Sequence, residues 1–200
     1  MKFYSIISLL VVTAIVVNCG TENQKDTRLK LFTEYFEAVQ KKDGSKWNFS
    51  TDTVYLWFDS KSSKPITSIK GVKSNGGWVA WDSVMNAKTS YDSIWYHKGD
   101  GSVKGYFYEQ NDFYDLIGRP PNKTLRTYWF TDNNKINEIL IYWIPEENKT
   151  SSEFLPPVIA WANQYAKEEI DYLYADETIQ PSTENAVRWK ALLKKYHHFQ

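Results

Sequence analysis

Several features that point to a definite chemistry are missing from this sequence. The chain has a single cysteine among its 200 residues, so an intrachain disulfide cannot form. Its 24 basic and 24 acidic residues give a formal net charge of +0, and without a basic block there is no electrostatic reason to expect a nucleic-acid partner. Glycine-rich phosphate loops and the Gly-x-Ser-x-Gly motif are also missing. We therefore predict no cofactor, no nucleotide chemistry and no thiol catalysis.

Metal binding has equally little support in the sequence. The chain has 3 histidines, of which His97 is isolated from the other two. His197 and His198 are adjacent, and neighbouring residues of a helix point to different sides. No metal site is predicted.

What the chain has in excess is aromatic side chains. The 9 Trp, 14 Tyr and 10 Phe residues make up 16% of the sequence. The simpler interpretation is a large aromatic core, because aromatic side chains dominate ordinary interiors. An aromatic-lined cavity is the other interpretation, and the two can coexist.

The first 18 residues have the parts of an export signal. A positive start at Lys2 is followed by the apolar run Ile6–Val17 and then by Asn18 and Cys19. The run is too short to span a bilayer comfortably and stands where a secretory signal stands. Residues 1–18 are therefore predicted to be a signal peptide that does not belong to the folded domain.

The end of this leader carries the single cysteine. The segment Val16-Val17-Asn18-Cys19 resembles a bacterial lipobox, with Asn18 where a small residue is usual. The resemblance implies lipidation of Cys19 with chains such as palmitate, an anchor at the bilayer surface and a place in the bacterial cell envelope, periplasmic or surface-exposed. An ordinary signal peptide with an incidental cysteine is the alternative. Residues 19–27 are polar and without hydrophobic period, which predicts a flexible tether.

Hydrophobic periodicity predicts the elements of the remaining chain. A helix is predicted from Asp26 or Thr27, then a strand at Thr53–Phe58 and a short helix with a Trp-rich face at Trp78–Met85. Strands that follow one another through short turns favour a bent antiparallel sheet, and four such strands are predicted: Tyr91–His97, Val103–Asp112, Thr124–Thr131 and Lys135–Ile144. Residues 118–121 are interpreted as a connection between strands rather than a ligand loop. Helices are predicted again after Ser152 and Ser182.

Two stretches resemble the nuclear transport factor 2-like superfamily, especially its SnoaL-like branch. Tyr35–Asp43 is similar to the opening helix of that family, with its aromatic pair and closing Asp. Tyr128–Trp143 resembles the last hairpin, with Asn134 where the family usually has Gly in the turn. Because asparagine tolerates a positive φ, the turn is expected to form.

The resemblance implies an α+β fold. Residues 28–145 would form a cone-shaped, strongly bent antiparallel sheet wrapped around N-terminal helices, a cystatin-like roll. Residues 146–200 would be a C-terminal helical extension, packed either across the open mouth or on the outer sheet face. Cones of this family serve as enzymes, small-molecule binders and interaction modules, so the fold alone decides no activity. They also pair through the outer sheet face, which implies a homodimer.

Alternation along the strands places one of their two faces inside the cone. The candidates for a ligand pocket are the aromatic residues Trp57, Trp78, Trp81, Trp95, Tyr106, Phe107, Tyr128 and Tyr142. The candidates for acid–base catalysis, with Tyr106 or Tyr142 as hydrogen-bond donors, are His97, Glu109, Asp112 and Asp115. A solvated strand end accounts for residues 109–115 more simply, and His97 fits the edge of a turn. No catalytic residue is assigned.

Three functional hypotheses follow. The first is a non-catalytic envelope lipoprotein whose cone binds a small apolar or amphipathic molecule or a partner protein. The second is a SnoaL-like isomerase, dehydratase or cyclase that transfers a proton through Glu109 or Asp112. The third is a glycan-binding module that stacks sugars on exposed Trp78, Trp81 or Trp95.

Overall fold

The structure is a computed structural model that describes residues 4–41, 44–62, 64–71 and 77–199, with side chains from Glu22 onward. Each predicted strand corresponds to a strand of the structure. In chain order the elements are α1 (Tyr4–Lys41), β1 (Ser50–Phe58), β2 (Ile66–Ile69), α2 (Gly77–Val84), β3 (Lys88–His97), β4 (Ser102–Gln110), α3 (Asp112–Ile117), β5 (Asn122–Phe130), β6 (Ile136–Trp143), α4 (Pro156–Tyr165), α5 (Lys167–Leu173) and α6 (Thr183–Phe199).

The strands form one bent sheet in the order β2-β1-β6-β5-β4-β3. The pairs that link β3, β4, β5 and β6 are antiparallel as predicted, whereas β1 lies parallel to β6. The register shifts within β1, β3 and β5, and such irregularities bend a sheet and increase its twist. The predicted α+β fold with a curved sheet is confirmed.

Helix α1 fills the concave side of this sheet. Phe32 is fully buried, and its ring centroid lies 4.9 Å from that of Tyr128 and 6.0 Å from that of Phe107. The buried members of this first core are Phe32, Tyr35, Val54, Val103, Phe107, Tyr128, Ile136 and Ile139. The pocket candidates Phe107 and Tyr128 therefore belong to a packed core.

The helix start predicted at Asp26 or Thr27 is wrong, because α1 is continuous through the residues predicted as a tether. Glu22 and Lys25 form an ion pair one turn apart, at 3.0 Å, and such pairs support a helix. Cys19 lies within α1, but its side chain is outside the described part of the structure, so its lipidation stays a prediction. Residues 1–3 of the predicted leader and Asp43 also lie outside it. No helix in the described ranges has the length and apolar character that crossing a membrane requires.

The C-terminal helices build a second core against α2 and α3. Trp189 of α6 is fully buried and meets Phe113 of α3 edge-to-face, with ring centroids 5.5 Å apart. The buried members of this second core are Trp81, Met85, Phe113, Ile117, Leu155, Val158, Ala162, Ile170, Leu173, Ala186, Trp189, Leu192 and Leu193. The extension therefore packs against α2 and α3.

Candidate functional site

A cavity of about 260 Å³ lies at the end of the sheet where β4 and β6 end and β5 begins. The strand register brings these ends together, since Glu109 pairs with Asn122 and Thr124 pairs with Trp143. The extension contributes the residues before α4 and after α5. The cavity is lined by Trp78, Trp81, Asp82, Glu109, Asn111, Phe113, Tyr114, Arg119, Asn122, Trp143, Thr150, Ser151 and Ile179.

The apolar wall of the cavity comes mainly from α2. Trp81 is buried against Phe113, with ring centroids 5.5 Å apart, whereas Trp78 is 59% exposed at the rim. A Cβ atom on Gly77, at the start of α2, would lie 2.0 Å from the carbonyl oxygen of Pro181. Only glycine therefore lets α2 approach the extension this closely. The short helix with a Trp-rich face is as predicted, and two of the pocket candidates, Trp78 and Trp81, do line the cavity.

The polar wall is centred on Arg119. Its Nε atom donates to the Lys149 carbonyl oxygen at 2.8 Å, one Nη donates to Ser151 Oγ at 3.1 Å, and the other Nη donates to Asn122 Oδ1. Asn122 Nδ2 in turn donates to the Tyr114 hydroxyl at 2.7 Å. Burial raises the pKa of Tyr114, and the positive charge of Arg119 acts against this rise. The four side chains form one connected hydrogen-bond network.

Local sequence explains where Arg119 stands. Helix α3 begins with Asn111, whose side chain accepts a hydrogen bond from the Tyr114 N–H at 2.9 Å. It ends at Gly118, whose φ of 71° is the left-handed conformation of a helix C-cap. Residues 118–121 connect α3 to β5 and not two strands, so that interpretation is wrong, and it also missed that Arg119 lines the cavity. The Asn111 to Gly118 spacing was a signal for α3 that could have located it.

Glu109 is the one catalytic candidate that lines the cavity. Its carboxylate lies 3.6 Å from the Arg126 guanidinium, which stacks over the Phe107 ring at 4.9 Å. Arg126 also donates to Thr124 Oγ1 at 3.1 Å. The positive charge of Arg126 thus compensates the negative charge of Glu109.

The structure places the other catalytic candidates in structural roles. Asp112 opens α3, pairs with Lys190 of α6 and accepts a hydrogen bond from Asn86 at 2.7 Å. Partial burial raises the pKa of Asp112, but these partners outweigh burial and leave it lowered. His97 Nδ1 lies 2.8 Å from Asp100 Oδ1 in the β3–β4 turn, as expected of a turn-edge residue. Asp115 is exposed on α3 and accepts a hydrogen bond from Gln110.

Four of the aromatic pocket candidates lie on the outer face of the sheet, away from the cavity. Because Phe107 faces α1, its neighbour Tyr106 must face outward, and Tyr106 contacts Trp95 with ring centroids 5.6 Å apart. The ladder that runs from Tyr106 through Leu125 to Tyr142 places Tyr142 on the same face. Trp57 pairs with Leu140 and shares this face as well. Alternation predicts two faces, but only the register shows which one is inside.

No group of three or more His, Cys, Asp or Glu side chains in the described residues is placed to hold a metal ion. The polar groups that converge on the cavity are hydrogen-bond donors and acceptors. Arrangements of this type orient an organic ligand within apolar walls.

These features define a class: a cone-shaped α+β domain with a helical extension and a cavity at one end of its sheet. The chain matches no protein-family model and no curated protein. It is similar to a solved protein with cystatin-like fold from Methylobium petroleophilum PM1, at 8% identity over 60% of this chain and 76% of that one, with a TM-score of 0.45.

Two further solved structures are similar in the same way. One is a Mycobacterium tuberculosis protein in complex with estradiol-17beta-hemisuccinate, at 12% identity over 62% of this chain and 98% of that one, with a TM-score of 0.44. The other is a steroid delta-isomerase from Pseudomonas aeruginosa, at 16% identity over 69% of this chain and 95% of that one, with a TM-score of 0.41. At these identities and scores, the likenesses bear on neither the ligand nor the activity of this chain.

Proposed function

We propose that this chain is a lipid-anchored protein of the bacterial cell envelope whose cavity binds a small, mainly apolar molecule without transforming it. The observation that carries this proposal is the cavity itself. The indoles of Trp78, Trp81 and Trp143 supply apolar area, and the Arg119 network supplies a few convergent polar groups. That combination is typical of small-molecule sites.

A neutral two-ring probe tests binding, and the rim indole of Trp78 provides the decisive variant. In calorimetric titration of the full chain with 2-naphthamide, we expect saturable binding that Trp78→Ala weakens about three- to tenfold, because it removes one aromatic contact. Phe199→Ala is the matched control, since Phe199 is also 59% exposed but lies outside the cavity. Absence of binding, or equal affinity in the two variants, would contradict the proposal.

An enzyme of the SnoaL-like type is the second candidate, and the position of Glu109 in the cavity favours it. Glu109 is paired with Arg126, however, and the other predicted titratable residues lie elsewhere. Acid–base catalysis by two positioned groups would need a second of the predicted titratable residues in the cavity, and Glu109 is the only one of them that lines it. Recovery of a chemically changed ligand after incubation, lost in Glu109→Gln, would decide for the enzyme.

A glycan-binding module is not favoured by the placement of its predicted indoles. Trp81 is buried, and Trp95 is partly buried beside Tyr106. Trp78 remains exposed at the rim, and stacking on a sugar needs an accessible ring face. A single exposed indole in the lining of a cavity fits the rim of that cavity better.

The proposed anchor rests on the apolar run before Cys19. In a bacterial host given an alkyne analogue of palmitate, we expect the full precursor to incorporate the label and to sediment with membranes. Cys19→Ser should lose the label and shift to the soluble fraction, because each buried methylene of an acyl chain contributes about 0.8 kcal/mol to membrane binding. Asn18→Gly, which restores the usual small residue, should keep both properties. A label that survives in Cys19→Ser would contradict lipidation.

We also propose that two copies pair through the outer sheet face. This face carries Tyr55, Ile69 and Tyr142, each between 41% and 42% exposed. Exposed apolar side chains on one face mark interaction surfaces. Sedimentation equilibrium of the full chain is expected to give a dimer that Tyr142→Glu dissociates, whereas a monomeric wild-type chain at micromolar concentration would exclude the pairing.

A further inference from the structure

Arg119 is a buried cation in the cavity wall. Only 6% of the residue is exposed, and its guanidinium carbon lies 4.1 Å from the ring centroid of Tyr114 and 5.7 Å from that of Trp143. Taking a charge out of water is costly unless an opposite charge or a full set of hydrogen bonds compensates it. The hydrogen-bond and ion-pair partners of Arg119 therefore show whether the protein itself compensates this buried charge.

The described residues leave Arg119 without a carboxylate. Its hydrogen bonds to the Lys149 carbonyl, Ser151 and Asn122 all go to neutral acceptors, so no carboxylate compensates its charge among the described residues. Its position differs from that of Arg126 and Arg188, which lie 3.6 Å and 2.7 Å from Glu109 and Glu169. A guanidinium beside a cavity that has no carboxylate partner is suited to an anionic oxygen of a ligand.

Two acidic residues also line the cavity, and their charges must be considered. The Glu109 carboxylate forms an ion pair with Arg126, and Asp82 is not without a partner either. Glu109 therefore has a partner other than Arg119, whereas the hydrogen bonds and ring contacts of Arg119 among the described residues are with neutral groups.

The dimensions of the cavity limit the rest of the ligand. About 260 Å³ is slightly below the usual range for drug-sized molecules, so one or two rings can enter. Trp78, Trp81 and Trp143 present indole surface to them. The cavity wall thus combines flat indole surfaces with one guanidinium group, that of Arg119.

We propose that the ligand is a small flat apolar acid, whose carboxylate is bound by Arg119 and whose rings lie against the indoles of Trp78, Trp81 and Trp143. This inference rests on the proposed function, since it names the chemical class of the molecule that the same cavity takes. Arg119 is then the residue that determines specificity for an acid over its neutral analogue.

The test compares two probes of equal shape on the full chain. Calorimetry with 2-naphthoate and 2-naphthamide should show that the wild-type chain prefers the carboxylate by about tenfold or more, since charge-assisted bonds are roughly twice as strong as neutral ones. Arg119→Gln should abolish this preference, because it weakens 2-naphthoate binding far more than 2-naphthamide binding, and Arg119→Lys should keep part of it because charge remains without the planar fork. Arg28→Gln is the matched control: Arg28 is also buried without a carboxylate partner among the described residues, but it bonds to Gly101 outside the cavity. It should retain the full preference.

The outcomes separate the two proposals. If neither probe binds the wild-type chain, the proposed binding function fails. If both bind equally, the cavity binds apolar molecules but the role of Arg119 is overturned, and this comparison needs no variant. A preference that survives in Arg119→Gln also overturns it. Should Arg119→Gln fail to unfold cooperatively in urea, the wild-type preference and its reduction in Arg119→Lys decide alone.

Discussion

Replacing Trp189 with alanine is expected to lower the free energy of unfolding by about 3 to 5 kcal/mol, the usual cost of removing a fully buried large aromatic side chain. Trp189 has no exposed surface and packs between Phe113 of α3 and Tyr174 after α5. Its removal would leave a cavity where the extension meets the cone. Urea unfolding of the full chain measures the loss as a lower midpoint at unchanged slope.

Val187→Ala is the matched control on the same helix. Val187 is 53% exposed, so its truncation is expected to change the free energy of unfolding by no more than about 0.5 kcal/mol. Equal effects of the two substitutions, or a separate unfolding step for the extension in wild-type protein, would contradict a shared core. In that case the extension would be an independent unit.

Phe107→Ala is the second substitution with a large expected effect, again about 3 to 5 kcal/mol for a fully buried aromatic side chain. Phe107 lies between α1 and the sheet, with its ring centroid 6.0 Å from that of Phe32 and 5.8 Å from that of Tyr128. The same urea experiment measures the loss. Its strand β4 lies inside the sheet, between β3 and β5.

Tyr106, the neighbour of Phe107 on β4, is the control that tests which face of the strand is buried. Tyr106→Ala removes an aromatic residue of similar size from the outer face, where it contacts Trp95 and lies 4.9 Å from the Lys123 ammonium. We expect it to cost about 0.5 to 1.5 kcal/mol, the worth of a surface aromatic contact. If Tyr106→Ala were the more damaging of the two, the register of β4 would be shifted by one residue and the two faces exchanged.

Local sequence signals predicted most of the elements correctly because those elements follow from local chemistry. Asn134 has a φ of 55°, as the hairpin turn required, and α2 carries its tryptophans one turn apart as predicted. The start of α1 was missed because the polar residues near Glu22 resemble a tether, yet they are also acceptable in a helix. Helix α3 was missed because its polar start at Asp112 was taken for a solvated strand end.

The candidate site could be predicted only in part. Trp78, Trp81 and Glu109 were identified and do line the cavity, since a short Trp-rich helix and a strand end are both visible in the pattern. Trp57, Trp95, Tyr106 and Tyr142 were assigned to the same site and lie on the opposite side of the sheet, as the strand register shows. Arg119 was not assigned to it.

By itself the sequence determined the order of most helices and strands and the turn at Asn134, because periodicity, caps and turn residues act over a few positions. Only the tertiary structure decided which face of β4 is buried, where the extension packs and that Arg119 meets Asn122 and Ser151 in one cavity. Those features depend on contacts between residues far apart in the chain, and no local pattern specifies which of several compatible partners a side chain meets.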